Sequence, residues 1–482
     1  MGIHGVTGIK GNDVRAGTRG SPVHTPGPVR ILPALLVVLA VSVALLYGCG
    51  GSVSHSSGGT DASPEAVAFT RDAGAASDAP PDGAVDAAPD GDGYHNQAPH
   101  CARTDAGIPE PFDAGAEPDV ISLPQVVALG GTTLHHPTFI SVTFPNDTLA
   151  DELQDFTASV GCTDYWHAIT ADYGVGEAVA GPPVSLTEKA PTTIDDSAIS
   201  KWLVAKINSK DPQFPKPAPE TVYAIWYPES STITLQGLTS CSGFGGYHMG
   251  THLADGTPIS YAVMPRCPPQ AGTLVDGLTV AASHEFIEAC TDPQPYAAPA
   301  YGMPDSNHAG WLFAEASEVG DMCEFDYSAF YQPPGYPWYV QKSYSNRAAW
   351  AGTEPCVPAA TPEYFYGAPE VPDMESIDLT GTGAQPTAVV VIAPGASVTI
   401  PVLLVGSPGV TSMQVQAYDL GDLIGQPSVL SVSLSASSGA PGDTVQLTIT
   451  KTTAEPMGAG GFAILTQNSL GQTMSIGMTT DQ

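Results

Sequence analysis

The hydrophobic pattern divides the chain into zones of different character. Residues 31–46, "ILPALLVVLAVSVALL", form an apolar run directly behind Arg30. Residues 50–117 are then rich in Ala, Asp, Gly, Pro and Ser, with almost no aromatics. From residue 138 the pattern becomes that of a folded domain. "TFISVTF" (138–144) predicts a strand. Leu149, Leu153, Phe156 and Val160 recur at helical spacing over 146–160, behind a polar cap. Ile199, Leu203 and Ile207 share one face of a second helix over 195–209. "TVYAIWYP" (221–228) predicts a buried strand, and 247–264 two strands joined around Asp255-Gly256. A helix over 276–290 follows, with Asp276 as N-cap and Pro293 closing it.

This order predicts an α/β (α+β) layered domain with a mixed sheet, over residues 118–365. Residues 310–360, rich in Trp, Tyr, Gly and Pro, predict mostly irregular chain. From about residue 370 short alternating runs separated by Gly, Pro and Asn turns predict an all-β sandwich of the immunoglobulin-like kind over 366–482. That sandwich contains no cysteine and no motif with chemistry of its own.

Composition narrows the setting. The chain of 482 residues carries 49 acids against 15 bases, a net charge of −34. Such a surface repels nucleic acid, so no nucleic-acid partner is expected. The apolar run is short for a membrane span, which needs roughly 20 residues, and has the length of a signal-peptide core. It ends at Leu46-Tyr47-Gly48-Cys49, which resembles a bacterial lipobox, with the tyrosine unusual. The expectation is therefore a signal peptide (1–48), lipidation at Cys49, and a disordered tether (49–117) outside the cytoplasm, at the cell envelope, outer membrane or cell surface. A short transmembrane anchor is the other reading of the same run. In an exported protein the remaining cysteines, Cys101, Cys162, Cys241, Cys267, Cys290, Cys323 and Cys356, predict disulfides. Cys101 lies in the tether and is expected to be the odd one out.

Candidate chemistry centres on "SHEFIEACTDP" (283–293). On a helix His284 and Glu288 stand one turn apart on one face, so both can reach one metal ion. Glu285 is placed as general base for a metal-bound water, as in His-Glu-x-x-His zinc peptidases. "EASEVGDMCEF" (315–325) offers Glu318 as third ligand and Asp321 as the acceptor behind His284. Cys290 and Cys323 each stand two residues beyond one of these acids, Glu288 and Asp321, so a Cys290–Cys323 bridge would staple helix to ligand loop. One imidazole with two carboxylates is a hard donor set. It admits zinc first, with manganese or iron as alternatives. His248 and His252, four apart, are candidates for substrate contact or extra ligation. Ser283 beside His284 does not face it on a helix. The carboxylates Glu285, Glu288, Glu318 and Asp321 could instead serve glycoside hydrolysis, which leaves His284 without a role.

Over residues 138–325 the chain resembles the Exordium/phosphate-induced family of plant cell-wall proteins and its bacterial relatives. The segments that carry the resemblance are "TSCSGFGGYH" (239–248), "PISYAVMPRCP" (258–268), "VDGLTVAASHEFIEACTDP" (275–293) and "SEVGDMCE" (317–324). The resemblance implies that His284, Glu285, Glu288, Glu318 and Asp321 form the family's polar cluster and that His248 is its isolated histidine. Asp292, in place of the usual asparagine, departs from the pattern. Together these readings predict a monomeric, surface-anchored zincin-like metallohydrolase, a peptidase acting on peptide or cell-wall polymer. A non-catalytic surface or carbohydrate-binding lipoprotein with a structural metal or polar cluster is the alternative.

Overall fold

The computed structural model describes residues 98–481, apart from 105–106, 114–122, 215, 218–219, 270–271, 305–307, 309–317, 325–327, 360–362, 378–384, 424–426 and 454–458. The apolar run, Cys49 and most of the tether lie outside the described residues. The described chain is mostly β-sheet with few helices.

A mixed sheet organises the first half. Its strands are β1 (Thr138–Thr143), β2 (Val179–Ala180), β3 (Val184–Ser185), β4 (Thr221–Tyr227), β5 (Tyr247–His252) and β6 (Pro258–Pro265). The order is β2–β1–β4–β6–β5, with β3 also pairing β1. Every pairing is parallel except that of the edge strand β5, which runs antiparallel to β6. β4 is buried along its whole length, as its apolar and aromatic sequence requires.

Four helices pack on this sheet or beside it: α1 (Ala150–Ser159), α2 (Asp164–Thr170), α3 (Asp196–Asn208) and α4 (Leu274–Thr291). Alternation along the strands assigns the two faces. Phe139, Val222, Ala224, Trp226, Ala262 and Met264 form one core with α1, α2 and α4. Ile140, Val142, Tyr223, Ile225, Tyr261 and Val263 form another with Ile199, Leu203 and Ile207 of α3. Phe286 of α4 stacks on Phe139 of β1, ring centroids 4.4 Å apart, which fixes α4 across the sheet.

The helix ends differ in detail from the sequence pattern. α4 begins one cap earlier: Thr273 is its N-cap, and Asp276 is the reciprocal partner of a capping box, taking the Thr273 N–H at 2.7 Å. No side chain caps α1, because its N-cap position is Leu149; Asp147 instead accepts the Leu149 N–H. Val160 falls in a 3-10 turn, Val160–Cys162, after α1. The short helix α2 carries no long apolar stripe, and its anchor is Trp166, fully buried and donating to the Gly176 carbonyl.

The disulfides correct two expectations. The bridges are Cys101–Cys162, Cys241–Cys267 and Cys323–Cys356, and Cys290 is free and buried. Cys290 does not bridge to Cys323. Two residues along a helix turn a side chain by about 200°, so Cys290 faces away from the Glu288 side and into the core. Cys323 reaches Cys356 instead, with Cα atoms 5.6 Å apart. Cys101 is not the odd cysteine: residues around it dock on the domain, with its N–H bonded to the Ala158 carbonyl. Three disulfides fit an oxidising compartment. Among the described residues no helix is long and apolar enough to cross a membrane.

The last part of the chain forms a four-stranded sheet facing a six-stranded one, between residues Phe365 and Thr480. Ile400, Val402, Leu447 and Ile449 from the first meet Val390, Val415, Phe462 and Ile464 from the second in one core. Tyr366 and Ala368 extend the core of the first half, so the two parts share packed surface.

Candidate metal centre

The last two turns of α4 are almost wholly buried, and they carry His284, Glu285 and Glu288. Burying acids there is costly unless they are paired, and the surrounding elements supply the pairs. β5 brings His248, which stands opposite Ala262 in register and so points to the α4 side of the sheet. A short helix α5 (Asp321–Glu324) and the residues before it bring Glu318 and Asp321.

Glu288 is the hub. Its Oε1 accepts the backbone N–H groups of Gly320 at 3.2 Å and Asp321 at 3.1 Å. Its Oε2 lies 3.1 Å from His284 Nε2 and 3.6 Å from His248 Nδ1. Asp321 Oδ1 stands 3.4 Å from His284 Nε2. Glu318 Oε1 stands 3.5 Å from His248 Nε2, which also meets the Asp292 carbonyl at 3.0 Å. Glu285 Oε2 is 3.7 Å from His248 Nδ1.

The expected residues thus converge, in a different grouping. Among the described residues, ligand-capable atoms within 4.8 Å of one another form two sets, His248/Glu288/Glu318 and His284/Glu288/Asp321. Glu318 faces His248 rather than His284, and Asp321 stands beside His284 while its Oδ2 accepts the Glu318 N–H. His248 is no isolated histidine. His252 is not brought in: it is exposed at the end of β5, and residues four apart on a strand are about 13 Å apart. Ser283 is structural, its Oγ accepting the Gln341 N–H at 2.9 Å.

Charge inside the cluster is shared rather than absent. Burial opposes charging His248, yet Glu318, Glu285 and Glu288 hold its pKa well above the usual value. His284 is raised likewise, burial being outweighed by Glu288 and Asp321. Burial pushes Glu288 up, but the two imidazoles bring it down to about 2. Glu285, Glu318 and Asp321 are all raised, chiefly by burial. Asp292, pushed by burial to about 6, holds the turn after α4 by accepting the Ala300 N–H. Glu324 is a further, half-buried acid, raised by burial to about 7, that the motif reading missed. Its spacing of three from Asp321 on one helical face was the available signal.

Two glycines make the cluster possible. A Cβ at Gly320 would stand 2.8 Å from Glu288 Oε1 and 3.0 Å from His284 Nδ1. A Cβ at Gly246 would stand 2.7 Å from Glu285 Oε1.

No family model matches the chain, and no curated protein matches it. Among solved structures it is similar to a chimeric titin Z1Z2, at 22% identity over 20% of this chain and 85% of that one, TM-score 0.14. It is similar to the titin M10–obscurin-like 1 immunoglobulin complex at 16% identity over 25% of this chain and 93% of that one, TM-score 0.15. A Bacteroides ovatus GH5 xyloglucanase matches at 12% identity over 19% of this chain and 16% of that one, TM-score 0.13.

Proposed function

We propose that the first half of the chain is a zincin-like, metal-dependent hydrolase of the Exordium/phosphate-induced kind, acting as a peptidase on peptide or cell-wall polymer. It would be exported and lipid-anchored through Cys49, as a monomer, with an immunoglobulin-like sandwich behind it. The observation that supports this reading is the convergence of two imidazoles and three carboxylates, His248, His284, Glu288, Glu318 and Asp321, from three separate elements.

The donor set fits a divalent cation. Imidazole plus carboxylate suits zinc, manganese or iron. Glu318 Oε1 is buried without a hydrogen-bond partner, with His248 Nε2 3.5 Å away. His248, Glu288 and Glu318, or His284, Glu288 and Asp321, would hold an ion, which would supply Lewis acidity toward a scissile carbonyl and its attacking water. Glu285 is the proton acceptor of the arrangement. Its carboxyl sits one residue from His284, is not among the grouped ligands, and is raised by burial toward the range useful for a general base. His248 Nδ1 stands 3.7 Å from that carboxyl.

A non-catalytic centre is the second reading, favoured by one observation: the cluster side chains are only 3% (His248) to 18% (Asp321) exposed. Glu285→Gln separates the two. In a hydrolase this variant keeps its metal and its fold while turnover of a peptide or glycan panel falls about 100-fold or more. In a structural centre wild type shows no turnover on the panel, and chelation lowers the unfolding temperature. A wild-type protein that binds no metal defeats the hydrolase and the structural metal, and leaves a metal-free polar cluster.

A further inference from the structure

We infer that the centre takes two divalent cations bridged by Glu288, one with His248 and Glu318 and one with His284 and Asp321. This rests on the metal-centre reading and goes beyond the single ion that a His-Glu-x-x-Glu helix implies.

The geometry separates two half-sites. Zinc-type ligands lie about 2.0–2.2 Å from the ion, so two ligands of one ion are at most about 4.4 Å apart. Within 4.8 Å the ligand atoms fall into two sets that share Glu288 alone; neither set contains both histidines, or both Glu318 and Asp321. One ion would have to choose a half or pull the elements together. Two ions require less movement, because the atoms of each set already lie within 4.8 Å of one another. Each half then holds one imidazole, one carboxylate of its own and the shared carboxylate.

Glu288 is built to be shared. Its Oε2 faces both imidazoles, at 3.1 and 3.6 Å. Its Oε1 is fixed by two backbone N–H groups, so the carboxylate cannot turn to serve one half alone. His248 is built in as firmly, at 3% side-chain exposure, which is hard to explain for an imidazole outside the centre.

Two-metal centres of this type clamp both the attacking and the leaving oxygen of a displacement.

The test is stoichiometry on the full chain, stripped by chelator and re-dialysed against manganese(II) or zinc(II). Elemental analysis is expected to give about two equivalents in wild type. His248→Ala and His284→Ala are each expected to keep about one, and Glu288→Ala none. The isosteric pair Glu318→Gln and Asp321→Asn serves if an alanine variant fails to fold, each expected to lose one ion. The manganese form is expected to show an exchange-coupled electron paramagnetic resonance spectrum that becomes a simple mononuclear signal in either histidine variant. One equivalent in wild type overturns the two-ion centre and leaves the metal centre standing. Two equivalents that survive every variant overturn it as well, by placing the ions elsewhere. No bound ion in the folded protein overturns both readings.

Discussion

Gly320→Ala puts the steric argument to a direct test, because it alters no ligand. Gly320 is not in the left-handed region, so alanine meets no backbone objection there. The added Cβ would stand 2.8 Å from Glu288 Oε1, a contact that real Cβ atoms do not show. Two responses are open. The loop can shift outward by a few tenths of an ångström, an overpacking cost of about 1–3 kcal/mol. Alternatively Glu288 can swing away, losing its bonds from Gly320 and Asp321, each worth about 1.5–3 kcal/mol to a charged group. The cheaper response sets the cost, so a loss of about 1–3 kcal/mol is expected. Either response displaces the hub carboxylate or its neighbours, and metal affinity is expected to fall about 10–100-fold. Urea unfolding of the chelated protein reads the first quantity, and competition with a chromophoric chelator the second. Gly107→Ala, with nothing within 4 Å of its Cβ, is the control. Stability within about 0.5 kcal/mol of wild type together with unchanged affinity would refute the claim that Gly320 cradles the cluster.

Other expectations follow from single contacts. Cys323→Ala with Cys356→Ala opens a loop of sequence separation 33 and should cost about 4 kcal/mol on the chain-entropy account, measured by denaturant titration under oxidising conditions. A cost below about 1 kcal/mol would show that the bridge does not restrain the α5 region. Alkylation of the unreduced, denatured protein should label Cys290 and recover Cys323 linked to Cys356 by peptide mass analysis; a Cys290–Cys323 peptide would contradict the fold around α4. Ser283→Ala leaves the Gln341 N–H without its acceptor and should cost about 1–3 kcal/mol with metal content unchanged. Loss of metal from that variant would give Ser283 a place in the centre that its geometry does not.

Burying so many acids works against stability. Glu285, Glu288, Glu318 and Asp321 all sit where hydrocarbon would pack more cheaply. Three disulfides and a stacked aromatic core around Phe139, Phe156 and Phe286 offset that burden.

The chain's local patterns determined what depends on neighbours along the backbone. Helical spacing of Leu153 and Phe156, the uniform burial of β4, and the one-turn relation of His284 to Glu288 are all set within a few residues. What depends on distant segments meeting was decided by tertiary structure alone. Cys290 and Cys323 have suggestive spacing, yet helix rotation turns Cys290 into the core and sheet packing delivers Cys356 to Cys323. The strand pattern alone did not rank His248 above His252, since both share a strand face; only the family resemblance singled out His248. Only the crossing of α4 over β5 places one beside Glu288 and leaves the other in solvent. The division of the acids between two imidazoles likewise has no trace in spacing: it arises because the turn before α5 inserts Gly320 against Glu288, so Glu318 and Asp321 fall on different sides of one carboxylate.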